Sequence, residues 1–155
     1  GDGVTSNTEC LQGLIDEVGD CGGGVIFFPA GRYLTGGLTL GSGLTLRLAA
    51  GAVLLGSPDL LDYEPMNPPP EPFPEGYEGV RALISAVDAE NIAIEGEGTI
   101  DGQGALFEAY PDVRGGRPRN LFFARCRGVR VEGIHLRNSG FWMQHYLNCL
   151  DVRLS

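Results

Sequence analysis

The sequence predicts an all-β solenoid, with parallel strands stacked coil upon coil behind one short α-helix that caps the N-terminal end. Three observations carry this expectation. Cys126-Arg127-Gly128-Val129-Arg130-Val131 recurs as Cys149-Leu150-Asp151-Val152-Arg153-Leu154, a period of 23 residues. A period of that size marks an array whose units bury their apolar faces only against their neighbours. Leu44, Ile92, Val129 and Val152 align as one aliphatic ladder, and Leu46, Ile94, Val131 and Leu154, two residues on, as a second; alternation with period two is the strand signal. Three residues before each first rung stand Gly41, Ala89, Cys126 and Cys149, all small, as a tight inward corner demands.

The elements follow in order. Leu11, Leu14, Ile15 and Val18 recur at helical spacing, with Asn7 or Thr8 placed to cap the start and Gly19 to end the helix. After Gly22-Gly23-Gly24, the run Val25-Ile26-Phe27-Phe28 is an apolar strand closed by Pro29, and 38–40 and 44–48 alternate as further strands. Arg130, Glu132 and Arg153 fall outward from the ladders. Two insertions interrupt the array. Residues 57–79 hold Pro65, Pro68, Pro69, Pro70, Pro72 and Pro74 and read as an extended proline-rich loop, while 102–117 bulge outward with Phe107 and Tyr110. Residues 1–155 otherwise form part of a single domain.

Composition excludes some classes of function. With 11 basic residues against 20 acidic ones, the net charge is −9, which argues against a partner recognised through phosphates, so no nucleic acid is expected. No apolar run approaches the roughly 20 residues of a membrane helix, and no membrane partner is expected. Cys126 and Cys149 occupy the same place in successive coils and read as stacked free thiols. The pairing of Cys10 and Cys21 is left open, and no metal site is expected, because neither Cys-x-x-Cys nor a neighbouring His accompanies them. Oligomeric state is not legible in the residues.

A series of motifs runs through the chain: Gly1-Asp2-Gly3-Val4-Thr5-Ser6-Asn7-Thr8, then Gly22-Gly23-Gly24-Val25 leading to Pro29-Ala30-Gly31-Arg32-Tyr33, then Gly51-Ala52-Val53-Leu54-Leu55-Gly56-Ser57. Ile94-Glu95-Gly96-Glu97-Gly98-Thr99-Ile100-Asp101-Gly102-Gln103-Gly104 follows, with Arg117-Pro118, Arg137-Asn138-Ser139 and Trp142-Met143-Gln144-His145. This series resembles the polygalacturonase-type glycoside hydrolases of family 28, in the pectin lyase-like superfamily. The resemblance implies a right-handed parallel β-helix, incomplete at the C-terminus. It also implies an inverting hydrolase of pectin, acting on galacturonic acid polymers without a cofactor, with an acidic plant cell-wall polysaccharide as partner and a secreted or periplasmic location.

The family's Asn-Thr-Asp-Gly, Gly-Asp-Asp, Gly-His-Gly and Arg-x-Lys motifs are absent. The resemblance therefore implies an amino-terminal portion of such an enzyme, inactive alone, with no catalytic residue among these 155 and an open edge after the last strand. Registering the family's Asn-Thr-Asp-Gly coil on the Cys149 and Val152 ladder puts Trp142 at the height of the catalytic Asp and His145 three residues later, facing outward. These two are the candidate substrate-binding residues: an indole stacks on a sugar ring, and an imidazole bonds a hydroxyl or a carboxylate. The opposing reading has Trp142 packing a turn and His145 as an ordinary exposed polar residue. His135 reads as a solvated surface residue, and Glu95, Glu97 and Asp101 as parts of a structural turn. Arg117, Arg119 and Arg137 face outward, toward acidic polymer or toward nearby acids. Two other classes stand beside the hydrolase: a β-helical carbohydrate-binding or adhesive module, and a Ca²⁺-dependent pectate lyase.

Overall fold

A computed structural model describes residues 1–66, 79–108 and 116–155. Helix α1 spans Thr8–Asp20, and the strands are β1 Asp2–Ser6, β2 Gly24–Phe28, β3 Gly31–Thr35, β4 Leu38–Thr39, β5 Leu44–Leu48, β6 Ala52–Gly56 and β7 Ala82–Val87. They continue as β8 Glu90–Gly96, β9 Thr99–Asp101, β10 Arg119–Ala124, β11 Arg127–Glu132, β12 His135–Arg137, β13 Gln144–Leu147 and β14 Leu150–Leu154. Three sheets result: β1-β3-β6-β9-β12, then β4-β7-β10-β13, then β2-β5-β8-β11-β14. Every pairing between these strands is parallel. From β2 onward the chain visits the third, first and second sheets in turn, so each circuit is one coil of a parallel β-helix.

The two aliphatic ladders are as the sequence indicates. Val129 pairs with Ile92 and with Val152, and Val131 with Ile94 and Leu154. Leu46 joins Ile94 on one side and Ile26 on the other, which extends the ladder one coil earlier. Ile26, Leu46, Ile92, Ile94, Val129 and Val131, with Leu44, Leu48, Leu54, Ile100, Leu121 and Phe123, fill one core along the axis of the stack, Val152 packs against it, and Leu154 is exposed. The residue just before the first rung is left-handed in five successive coils: Gly23 (φ 102°), Gly43 (74°), Asn91 (57°), Gly128 (70°) and Asp151 (54°). The same corner begins with left-handed Asp88, Arg125 and Asn148, each followed by the small residue of the ladder pattern. Ala89 and Cys126 are buried at that corner. All four cysteines are free thiols. The Cys126 thiol lies 3.3 Å from the Ala124 carbonyl and 3.5 Å from that of Ala86, and burial pushes its pKa upward.

Helix α1 packs on β2, β4 and β5 and closes the first coil. Leu11 and Ile15 enter the core, while Leu14 is exposed. The helix passes through Gly19 to end at Asp20, with Cys21 as its C-cap. Asn7 stands at the N-cap without a side-chain cap bond; its amide instead donates to the Thr5 and Leu34 carbonyls, tying the helix entry to β1 and β3. Gln12 bonds both the N–H and the carbonyl of Thr39, pinning the lid to the edge of the second sheet.

Of the proline-rich segment, residues 57–66 and 79 are described, and the remainder lies outside the described residues. The described part turns inward. Asp59 caps a short 3₁₀ turn, Leu60–Asp62, the Ser57 hydroxyl donates to the Asp62 carboxylate, and the fully buried Tyr63 donates to the Ser57 carbonyl. The 102–117 segment does not bulge outward at Phe107. That ring is fully buried, meeting Tyr63 edge to face at 5.9 Å; Tyr110 lies outside the described residues.

Candidate functional site

The second sheet has two apolar faces. On β10, Leu121 and Phe123 point into the core, while Phe122 and Ala124 face away from it. The outward pair belongs to a second apolar cluster with Val80 and Ala82, against which Met66, Val87 and Leu147 pack, and Met66 and Val80 are joined by an antiparallel bridge. Register places His145 of β13 beside Phe122, and Phe122 beside Ser85 of β7, which itself pairs with Thr39. His145 therefore continues an outward row, one coil beyond the fully buried Phe122.

The turn before β13 brings further aromatic rings to His145. Phe141 and Trp142 lie nearly parallel, 8° apart with centroids at 5.3 Å. The imidazole meets the indole at 4.5 Å and the Phe122 ring at 5.2 Å, both edge to face. Trp142 keeps 48% of its surface in solvent, whereas His145 is half-buried. Burial, followed by the positive charge of Arg119, holds the His145 pKa below its ordinary value, so the imidazole is neutral near pH 7. A neutral imidazole both donates and accepts hydrogen bonds, next to a half-bare indole of the kind that stacks on a pyranose.

The backbone of that turn is set from below by Asp101. Nearly buried on β9, its carboxylate pairs with Arg137 at 2.9 Å. It also accepts from the Asn138 amide at 3.0 Å and from the Gln103 N–H at 3.1 Å. Asn138, left-handed at φ 51°, starts the turn. The Ser139 hydroxyl then donates to the Trp142 carbonyl at 2.9 Å and accepts from the Asn120 N–H at 3.2 Å. The Asn120 amide donates in turn to the Arg137 carbonyl at 2.9 Å. Two motifs distant in sequence, Thr99-Ile100-Asp101-Gly102 and Arg137-Asn138-Ser139, are thus halves of one bracket. A side chain at Gly104 would strike the Ser139 carbonyl, which accounts for the glycine there.

Trp142 and His145 come together in ring contact, and His145 is half-buried. Arg137 is engaged by Asp101. His135 is exposed on β12, away from the cluster. Glu95 lies on the outer face of the third sheet, paired with Arg47 at 2.6 Å and Arg130 at 3.5 Å. Arg119 corrects an expectation: it does not face outward but is completely buried. Its guanidinium carbon lies 4.9 Å from the Phe141 ring centre, 5.5 Å from Trp142 and 5.7 Å from Phe122. Phe122 and Phe141 also belong to this cluster, and no motif of the sequence points to them. Phe141 adjoins Trp142 in sequence, a usable signal, but nothing local marks Arg119 as buried.

Comparison with known proteins bears on this architecture. No family model matches the chain. The chain is 33% identical to a probable polygalacturonase of Vitis vinifera over 158 residues, covering 94% of this chain and 32% of that protein. It is 40% identical to an exo-poly-alpha-D-galacturonosidase of Dickeya chrysanthemi over 121 residues, covering 67% of this chain and 18% of that protein. Among solved structures, a hyperthermoactive exopolygalacturonase of Thermotoga maritima superposes on 99% of the chain with a TM-score of 0.79 at 27% identity, the match covering 43% of that structure. The chain thus spans about a third or less of the curated relatives it matches. No helix is long and apolar enough to cross a membrane among the described residues. With the coil architecture, the motif bracket and these relatives in agreement, the chain belongs to the polygalacturonase-type family of parallel β-helix proteins, glycoside hydrolase family 28.

Proposed function

We propose that this chain forms the leading coils and one sugar-binding wall of a pectin-directed glycoside hydrolase that cleaves galacturonic acid polymers by inversion. The observation that carries the reading is Trp142, its indole half in solvent and held beside a neutral His145 at the end of an outward row of the second sheet. Inversion requires one protonated carboxyl and one carboxylate roughly 6.5 to 9.5 Å apart. Stacked coils repeat at about 4.8 Å, so carboxylates on neighbouring and diagonal positions of one face supply that spacing. The family's carboxylate motifs are absent from these residues, so the chain alone binds but does not hydrolyse. A polymeric substrate places the protein outside the cytoplasm, secreted or periplasmic.

The clustering of Met66 and Val80 with the buried Phe122 adds a direction to the reading. It walls the row on the side of the earlier coils, which favours a polymer end over a polymer interior. Trp142 is the sole tryptophan, so intrinsic emission excited at the red edge of indole absorption reports this site alone. Titration with galacturonic acid oligomers of increasing length should perturb that emission saturably, with affinity levelling off after the first few sugars. An unresponsive Trp142, or equal response to neutral glucose oligomers, would sink the saccharide reading. Affinity that climbs steadily with length would instead refute the walled end.

A further inference from the structure

We propose that Arg119 is the positioning residue of this face: its guanidinium fixes the orientation of the Phe141 and Trp142 rings so that the exposed half of the indole is offered as a rigid platform. The consequence for ligand binding rests on the saccharide reading above, but the positioning itself does not. Three facts converge. Arg119 is the largest fully buried side chain among the described residues, whereas Arg32, Arg47, Arg125, Arg127, Arg137 and Arg153 are exposed. Its backbone is fastened within the second sheet, where its N–H donates to the Arg81 carbonyl at 3.0 Å and its Cα pairs with Ala82. The guanidinium carbon lies within 5.7 Å of all three ring centres, inside the roughly 6 Å reach over which a cation is held by an aromatic quadrupole.

The Asp101 bracket and Ser139 hold the main chain of the turn, but no bond of that bracket reaches the indole itself. Ring orientation depends instead on what the rings touch. Phe141 is only half-buried and Trp142 more exposed still, so the stacked pair needs an anchor on its inner side, and Arg119 stands there. A planar guanidinium lies against several rings at once, which a compact ammonium does not do. Burying such a group is costly, and a cation that merely completed the core could be replaced by an apolar side chain with no consequence for the turn.

The test uses Arg119→Lys and Arg119→Met, with far-UV circular dichroism and thermal unfolding to establish folding. Near-UV circular dichroism and fluorescence anisotropy of Trp142 are then measured without ligand. The indole signals should fall in the order Arg, Lys, Met, the lysine restoring part of what methionine loses. Affinity for a galacturonic acid trimer should weaken about tenfold in the methionine variant, a change in line with loss of one desolvated cation–π contact. A folded variant of either kind with wild-type Trp142 signals overturns the proposal. If methionine prevents folding, lysine decides alone, since it keeps the charge and lacks the flat face. A wild-type chain whose Trp142 ignores the trimer refutes the saccharide reading and leaves the ligand-free comparison to judge Arg119 separately.

Discussion

At the scale of single residues, His145 makes the sharpest prediction. Its pKa is held below the ordinary 6.5 by burial and by Arg119, so the folded state takes up its proton later than the unfolded state. Its contribution to stability is therefore complete above about pH 6.5 and is lost as pH falls from there through the lower folded value. Protonated imidazole quenches a neighbouring indole, and with 4.5 Å between the rings an acid titration of Trp142 emission should show a midpoint below 6.5, absent in His145→Gln. Asp101 is a different case, a buried carboxylate whose partners are structural. Asp101→Ala leaves a half-exposed Arg137 and the Asn138 amide without their acceptor and should cost about 1.5–3 kcal/mol in chemical denaturation, loosening the Trp142 turn. Trp142 and His145 stand out in the sequence because their spacing and types suit a saccharide, and the fold brings their rings into contact. Arg119, next to a proline, carries no mark of burial until β10 is paired with β7.

At the scale of elements, the third sheet is readable throughout, whereas the second is readable at β4 but not at β7 and β10. Strands β5, β8, β11 and β14 expose one face, so they alternate in hydropathy and announce their register. The β7 and β10 strands are covered on both faces, the core on one side and the Met66–Val80 segment on the other. Strands buried on both faces read as continuous apolar runs without a period, and 82–87 and 119–124 gave no alternation to follow. Phe107 reads as part of an outward bulge and Tyr63 carries no mark at all for a related reason, since a loop with its own buried anchor looks like any loop in sequence. Helix α1 was legible in its core-facing positions and less so at its ends, where Asn7 serves β1 and β3 rather than the cap. Removing the lid's main contact, Ile15→Ala, should destabilise the chain by about 2–5 kcal/mol, read as a lower urea midpoint. Leu14→Ala on the exposed side should change it by less than about 0.5 kcal/mol.

At the scale of the whole molecule, net charge shapes association with any polyanion. A chain of net charge −9 repels a polyuronate at long range, and the repulsion weakens as the screening length shrinks to about 10 Å near 0.1 M salt. Binding of galacturonic acid oligomers, followed through Trp142, should therefore strengthen from low salt to about 0.1 M, contrary to the weakening expected of a basic binding protein. The left-handed residue that recurs before the first rung in five coils has a consequence for engineering. Because each coil turns this corner with the same backbone shape, the coil is interchangeable: a synthetic repeat with asparagine or glycine at that position, a small residue two places earlier and aliphatic rungs after it could be spliced between β11 and β14. Each inserted copy would lengthen the stack by about 4.8 Å, making the protein a ruler whose graduations are set by the gene.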